Sequence, residues 1–222
     1  MNRTFIFFLW ILVLGFSAKA QVNDAGLWSS IGLQSDLGKK FSLDGDIELR
    51  FNENITELGT VYGEALLGYK INKRWEASFG YRLIGKRKSD DSYSTRHRIL
   101  LNLTYKKKFN KVTASFRARY QSQFSDIKRS ENWRVPDDYF RFKASFKYDT
   151  DKKWIPYVSG ESFFYLNSQD GPLFTEYRLS TGVEYEYSKK SAITLGYIFD
   201  REVNVSDPWT NYIVSIGWRY KL

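Results

Sequence analysis

Residues 211–222 read NYIVSIGWRYKL and alternate between two kinds of side chain. One set is aromatic or aliphatic: Tyr212, Val214, Ile216, Trp218, Tyr220 and Leu222. The other is polar or small apart from Ile213: Asn211, Ser215, Gly217, Arg219 and Lys221. Because successive side chains of a strand point to opposite faces, the pattern predicts a strand with one apolar and one polar face.

The same alternation recurs along most of the chain. It is clearest in FSLDGDIELRF, residues 41–51, and similar segments follow with short polar interruptions up to residue 222. The segments are about ten residues or longer, whereas strands of globular proteins are usually ~5–6 residues. A tilted strand of ~9–11 residues crosses a bilayer. Aromatic residues make up 18% of the chain, which also favours strands over helices.

The connections between these segments alternate in length. Short, lysine-rich connections lie at 72–74, 106–111, 149–153 and 188–191, and longer ones at 86–91, 125–137, 167–173 and 201–208. Short turns on one side and longer loops on the other are typical of outer-membrane barrels. We therefore predict an all-β, antiparallel transmembrane β-barrel of about 10–12 strands, of the outer-membrane type. A secreted soluble β-protein is the alternative.

The strand number depends on the N-terminal part of the mature chain. About ten strong strands lie between Phe41 and Leu222, with a weaker one at Leu27–Leu37. Bacterial barrels usually have an even number of strands, with both chain ends on one side. We therefore expect ten strands, with residues 21–37 inside or against the barrel. A missed strand is the alternative.

The first twenty residues resemble a secretory signal peptide. Arg3 is followed by an apolar run from Phe5 to Phe16 and then by Ala18-Lys19-Ala20. The run is shorter than the ~20 residues of a spanning helix, and small residues precede the expected cleavage site. We predict cleavage after Ala20, a single barrel domain at 21–222 and delivery to the outer membrane. An uncleaved anchor helix is the alternative.

The net charge of +9 favours anionic partners, and export disfavours nucleic acid. Basic residues are frequent in the longer loops: Lys86, Arg87, Lys88, Lys128, Arg129 and Arg134. They could bind lipid phosphates or be ordinary solvated loop charges. Expected partners are outer-membrane lipids including lipopolysaccharide, the barrel-assembly machinery and periplasmic chaperones. The oligomeric state is left open.

The polar phase of the alternation places many charges inside the predicted barrel. The basic ones, on three consecutive strands, are Arg98, Arg117, Arg119, Arg141, Lys143 and Lys147. The acidic ones are Asp44, Asp46, Glu48, Glu64, Glu76, Glu161, Glu176, Glu184 and Glu186. Two interpretations stay open: the charges pair and close a structural barrel, or they line a narrow channel for ions or small solutes.

Catalysis is a third and weaker possibility. A lipid-modifying or proteolytic barrel enzyme needs a base near a nucleophile or carboxylate. His97 is the only histidine, and it shares the parity of the outward-facing Ile99 and Leu101. The chain has no cysteine, so it can form neither disulfides nor a thiolate metal site. We expect no enzyme activity, cofactor or metal.

Two resemblances support the barrel. Ser215, Gly217, Tyr220 and Leu222 are similar to the C-terminal signal of outer-membrane barrels, which implies recognition by the assembly machinery; Leu222 stands where an aromatic residue is more common. The whole mature chain resembles an outer-membrane family known as domain of unknown function 2490. The matching segments are Trp28, Glu48-Leu49-Arg50-Phe51, Gly80-Tyr81-Arg82, Arg96-His97-Arg98, Arg117-Ala118-Arg119, Pro156–Phe163, Arg178–Tyr185 and Gly196-Tyr197. That resemblance implies a fold and a location but no activity.

Overall fold

The computed structural model describes residues 22–125, 136–169 and 171–222. The described residues form eleven strands and no helix long and apolar enough to cross a membrane. The strands are β1 (Val22–Leu37), β2 (Phe41–Asn52), β3 (Glu57–Lys70), β4 (Trp75–Arg87), β5 (Tyr93–Phe109), β6 (Val112–Ser125), β7 (Asp137–Tyr148), β8 (Trp154–Tyr165), β9 (Leu173–Ser188), β10 (Ser191–Glu202) and β11 (Trp209–Lys221). The prediction of an all-β barrel is confirmed.

The sheet closes on itself through its first and last strands. Each strand pairs antiparallel with its sequence neighbour, and β1 pairs parallel with β11 from Val22↔Trp209 to Gln34↔Lys221. The expectation of ten strands, with residues 21–37 inside or against the barrel, is therefore wrong, and the alternative of a further strand in the wall holds. A parallel closing pair is the physical reason, because it lets an odd number of strands close while the two ends of the wall lie at opposite ends of the barrel.

The connections divide the barrel into two unlike ends. The short-turn end carries the connections 38–40, 71–74, 110–111, 149–153 and 189–190 together with the end of β11. The long-loop end carries 53–56, 88–92, 126–136, 166–172 and 203–208 together with the start of β1. Most of 126–136 lies outside the described residues, as does the predicted signal peptide.

The start of β1 is anchored at the long-loop end by a hydrogen-bonded loop. Glu53, Asn54 and Ile55 all have positive φ angles, of 51°, 56° and 70°. Such a conformation is rare for a β-branched residue. The Asp24 carboxylate accepts hydrogen bonds from the backbone N–H groups of Glu53 and Asn54, at 2.9 and 2.8 Å. These contacts tie β1 to the β2–β3 loop in addition to the strand pairing.

The outer face of the barrel is apolar. Side chains such as Leu101, Phe142, Ile47 and Val158 are 49%, 51%, 60% and 52% exposed. Aromatic pairs surround the short-turn end, including Trp75–Tyr105 and Trp154–Tyr185, with ring centroids 5.0 and 4.3 Å apart. Charged side chains occupy the opposite phase of each strand and point inward. Charged side chains are seldom buried in proteins unless they are paired, so the inner face needs its own account.

Candidate functional site

The inner face carries ion pairs that join strands which are not neighbours in the wall. Arg117 on β6 contacts Glu161 on β8 at 2.7 Å, and Arg219 on β11 contacts Asp46 on β2 at 2.9 Å. Each pair reaches over one intervening strand, so its two side chains lie on the same face of the wall, and Glu161 on that face is only 4% exposed. The polar phase of the sequence alternation therefore lies inside the barrel.

Trp28 is the centre of a chain of contacts across the interior. The guanidinium carbons of Arg50 and Arg178 lie 3.6 and 4.8 Å from the centre of its ring. Arg50 also pairs with Glu48 at 2.6 Å, while Arg178 pairs with Glu176 at 2.8 Å and Asp200 at 2.9 Å. Cation–π contacts of this type contribute ~0.5–2 kcal/mol each, more where water is excluded.

The chain of contacts continues on both sides of Trp28. On one side Tyr62 lies between Arg50 and Arg82, at 5.2 and 3.8 Å from the two guanidinium carbons. On the other side Phe163 lies 5.1 Å from Arg178 and 4.2 Å from Arg141. These four arginines and three aromatic residues are called here the arginine–aromatic belt: Arg50, Arg82, Arg141, Arg178, Trp28, Tyr62 and Phe163.

The outermost arginines of the belt are neutralised by buried carboxylates. Arg82 and Glu64 are 2.5 Å apart, with side chains only 9% and 7% exposed. Glu161 is 4% exposed and accepts from both Arg141 at 3.0 Å and Arg117 at 2.7 Å. Glu161 therefore neutralises one arginine on β6 and one on β7.

Apolar side chains fill the space around the belt. Six hydrophobic residues on the inner phase, two of them members of the belt, are less than one-tenth exposed: Tyr62, Ile84, Leu100, Phe163, Ile198 and Ile213. Leu100 is fully buried. The middle of the barrel is therefore packed with side chains.

A cavity of about 280 Å³ lies on the short-turn side of the belt. Its walls include Trp28, Arg178, Glu161 and Lys143, with Asp46 and Arg219 toward the short-turn end. Gly32 makes room for the Arg219–Asp46 pair, because a Cβ on this glycine would collide with the Asp46 carboxylate. The interior therefore consists of a middle filled by the belt and a polar chamber on the short-turn side of the belt.

The predicted basic residues divide into two groups. Arg117, Arg141 and Lys147 form ion pairs, the last with Glu184 at 2.7 Å. Arg98 donates instead to the Gln123 amide oxygen and Arg119 to the Asn102 amide oxygen, both at 2.5 Å. Lys143 lies opposite Glu161 in the strand register without a salt bridge among the described residues. Pairing with acids thus holds for half of this set.

The predicted acidic residues also lie on the inner phase. Arg219 serves two of them, Asp46 at 2.9 Å and Asp44 at 3.7 Å. Glu48, Glu64, Glu161, Glu176 and Glu184 have the partners given above. In the described parts of the chain, Glu76 and Glu186 take part in no salt bridge; Glu186 is exposed near the short-turn end.

Sequence reasoning missed most of the belt. Arg50, Arg82 and Arg178 share the inner parity but are not among the basic residues predicted inside the barrel. Tyr62 and Phe163 were missed because an apolar residue on the polar phase looks like an interruption of the pattern. The usable signal is an aromatic residue two positions from a charged residue on the same phase, as in Tyr62 and Glu64 or Glu161 and Phe163.

The remaining candidates lie away from the interior. His97 is on the outer face, where its Nδ1 lies 2.5 Å from the Tyr81 hydroxyl. Over 22–125, 136–169 and 171–222, no three His, Cys, Asp or Glu side chains are placed to hold a metal ion. The prediction of Lys86 and Arg87 as loop residues is wrong, because β4 extends to Arg87; Arg87 contacts Glu53, Glu57 and Asp91, and Lys88 lies in the loop.

Three loop candidates, Lys128, Arg129 and Arg134, fall outside the described residues.

In the C-terminal segment, Ser215 and Gly217 line the polar chamber. Leu222 is 65% exposed, and its N–H donates to the Gln34 carbonyl at 2.8 Å. The segment thus forms the last strand of the wall, as predicted. Its recognition by an assembly machinery stays a prediction.

The fold and its interior define a closed β-barrel with an apolar outer face and a charged lumen that contains the belt and a polar chamber. The chain belongs to the family described as "Protein of unknown function (DUF2490)", whose model matches residues 25–211. The resemblance to this family is confirmed. A search of the curated proteins finds no match.

Proposed function

We propose that this protein is an integral outer-membrane barrel whose lumen is closed by the arginine–aromatic belt, and that it acts as a structural or binding barrel without catalysis. The observation that carries the proposal is the contrast between the two faces of the wall. Apolar side chains such as Leu101 and Phe142 are about half exposed outside, while the Arg82–Glu64 pair inside is less than one-tenth exposed. Lipid satisfies such an outer face and water does not.

The aromatic residues support the same location. Trp75, Trp154 and Trp218 lie near the short-turn end, and the Trp218 indole donates to the Tyr187 hydroxyl at 2.9 Å. Tyr93 lies at the long-loop end and donates to the Leu58 carbonyl at 2.6 Å. Amphipathic aromatic side chains concentrate at the two edges of the hydrocarbon layer.

A passive channel is the second candidate function. The cavity of about 280 Å³ favours it, because part of the interior is already open and polar. Conduction would require the belt to part, since Trp28, Arg178 and Glu161 belong both to the cavity wall and to the closed middle.

A labelling experiment tests the membrane topology. With single cysteines introduced into the cysteine-free chain, Asn54→Cys should react with a membrane-impermeant thiol reagent on intact cells. Asn72→Cys should react only after lysis, because it lies in the β3–β4 turn at the opposite end of the barrel. The reverse pattern would invert the proposed topology, and equal labelling of both in intact cells would argue against a membrane-spanning wall.

The same method tests the unusual closure of the barrel. Asn23 lies at the start of β1, beside Thr210, and is exposed at the long-loop end. Asn23→Cys should therefore label together with Asn54→Cys, although a barrel with both chain ends on one side would protect it. Protection of Asn23→Cys alone would contradict the parallel β1–β11 pair.

A further inference from the structure

The polar chamber is closed at the belt and open at the short-turn end. Glu161 and Arg178, where the chamber meets the belt, have side chains that are only 4% and 14% exposed. Asp46 and Arg219, toward the short-turn end, have side chains that are 21% and 52% exposed. Solvent therefore reaches the cavity of about 280 Å³ from the short-turn end. Ligand pockets usually measure ~300–1,000 Å³, so an occupant of this chamber must be small.

Lys143 is the basic residue of the chamber wall that takes part in no salt bridge within the described ranges. It is half-buried and lies opposite Glu161 in the β7–β8 register. The other two basic residues of the wall, Arg178 and Arg219, each contact two carboxylates. The acidic residues of the wall all pair with arginines: Asp46, Glu48 and Glu161. The Lys143 ammonium group is therefore the charged donor of the chamber that a ligand can use.

Four hydroxyl side chains from four strands line the same cavity. They are Ser30 on β1, Ser180 on β9, Thr194 on β10 and Ser215 on β11. Gly217 leaves the space beside Ser30 free, because a Cβ on this glycine would lie only 2.8 Å from the Ser30 Oγ atom. Each hydroxyl can both donate and accept a hydrogen bond. The wall thus combines one available ammonium group with several neutral donors and acceptors.

We propose that the polar chamber binds a small hydroxylated carboxylic acid, such as a sugar acid. The Lys143 ammonium group would donate to the carboxylate, which gives a charge-assisted hydrogen bond. The serine and threonine hydroxyls of the wall would bind the hydroxyl groups of the solute. An uncharged sugar would leave Lys143 without a partner, and a simple anion would leave the hydroxyl side chains unused.

The charges of the wall favour a carboxylate over a phosphate. Asp46, Glu48 and Glu161 line the same cavity as Lys143. They repel a doubly charged phosphate more strongly than a singly charged carboxylate. A lipid is excluded by the small volume and the polar wall.

The inference deepens the binding role given under the proposed function and rests on the belt that closes one end of the chamber. In the proposed topology the short-turn end faces the periplasm, so the solute would enter from that side. Binding is measured on the refolded full barrel in detergent and does not depend on the membrane. A failure of the labelling experiment above would therefore leave this inference intact, and an absence of binding would leave the membrane topology intact.

Calorimetric titration with sodium gluconate, which carries a carboxylate and a chain of hydroxyl groups, tests the site. The wild type should bind saturably, and Lys143→Met should weaken binding at least ~10-fold because a hydrogen bond to a charged group is lost. Lys147→Met is the matched control. Lys147 lies on the inner phase of the same strand, but it pairs with Glu184 at 2.7 Å and is not part of the chamber wall.

The control variant should bind gluconate as the wild type does. No saturable binding to the wild type would overturn the proposal. Equal affinities of the wild type and Lys143→Met would do the same.

The hydroxyl side of the site is tested separately, which keeps the proposal testable if Lys143→Met does not refold. Thr194→Val keeps the shape of the side chain but removes its hydroxyl group, so it should weaken gluconate binding ~3-fold or more and leave acetate binding unchanged. Acetate and glucose each lack one of the two groups and should bind the wild type more weakly than gluconate. Acetate or inorganic phosphate binding as tightly as gluconate would contradict the assigned class of solute.

Discussion

Glu161→Gln should lower the free energy of unfolding by about 3–5 kcal/mol. The substitution keeps the shape of the side chain but removes the charge that half-buried Arg117 and buried Arg141 share, at 2.7 and 3.0 Å. Both guanidinium groups would then lie in the interior without a counter-charge. Urea unfolding of the refolded barrel, followed by tryptophan fluorescence, measures the loss.

Glu186→Gln is the matched control for this prediction. Glu186 is also an inner-phase glutamate, but it is exposed near the short-turn end and takes part in no salt bridge of the described chain. Its replacement should change the free energy of unfolding by less than ~0.5 kcal/mol. Similar effects of the two substitutions would mean that water, and not buried pairing, solvates the charges of the lumen.

Leu101→Arg should cost about 2–4 kcal/mol when the barrel is folded into lipid vesicles. Leu101 lies near the middle of β5 on the outer face and is 49% exposed, so the new guanidinium would face the hydrocarbon layer. In a barrel surrounded by water, the same change at a half-exposed position would be nearly neutral. The measurement therefore separates the two environments directly.

Thr104→Arg, on the inner phase of the same strand, is the control for Leu101→Arg. Its neighbours across the sheet are Glu76 on one side and Arg117 on the other, so the added charge meets one of each sign. We expect a smaller loss than for Leu101→Arg. An equal loss at both positions would contradict the assignment of inner and outer faces.

The alternation of side chains is a local property, which is why most of the wall could be predicted from the sequence. The segment 41–51 forms β2 with the predicted facing, and Ile213 lies inside as the single apolar residue of its phase, 2% exposed. The alternation of β1 is weaker in the sequence because Gly32 and the serines interrupt it. The usual even number of strands in bacterial barrels also argued against β1 as part of the wall, because an even number assumes an antiparallel closing pair.

The contacts of the interior could not be predicted in the same way. Which arginine meets which carboxylate depends on how far the strands are staggered when the sheet closes, and local sequence does not encode that stagger. Arg117 and Arg119 differ by one inner position, yet the first reaches Glu161 and the second reaches only Asn102. Trp28 and Arg178 come together only because the β1–β11 pair closes the sheet and leaves just β11 and β10 between β1 and β9.

The arrangement of charge therefore has two parts. The belt around Trp28 neutralises its arginines with carboxylates of this chain, which favours a closed and rigid middle. The wall formed by β5 and β6 keeps Arg98 and Arg119 without acidic partners among the described residues.

Single-channel recording in planar bilayers tests the central claim, a membrane barrel closed by its belt. The wild type should insert without steady conductance, whereas Trp28→Ala/Phe163→Ala should give stepwise currents. Removing the two rings takes away the aromatic surfaces on which Arg50, Arg141 and Arg178 lie. Flotation with lipid vesicles verifies that both proteins insert. Steps of the same size from the wild type would contradict the account.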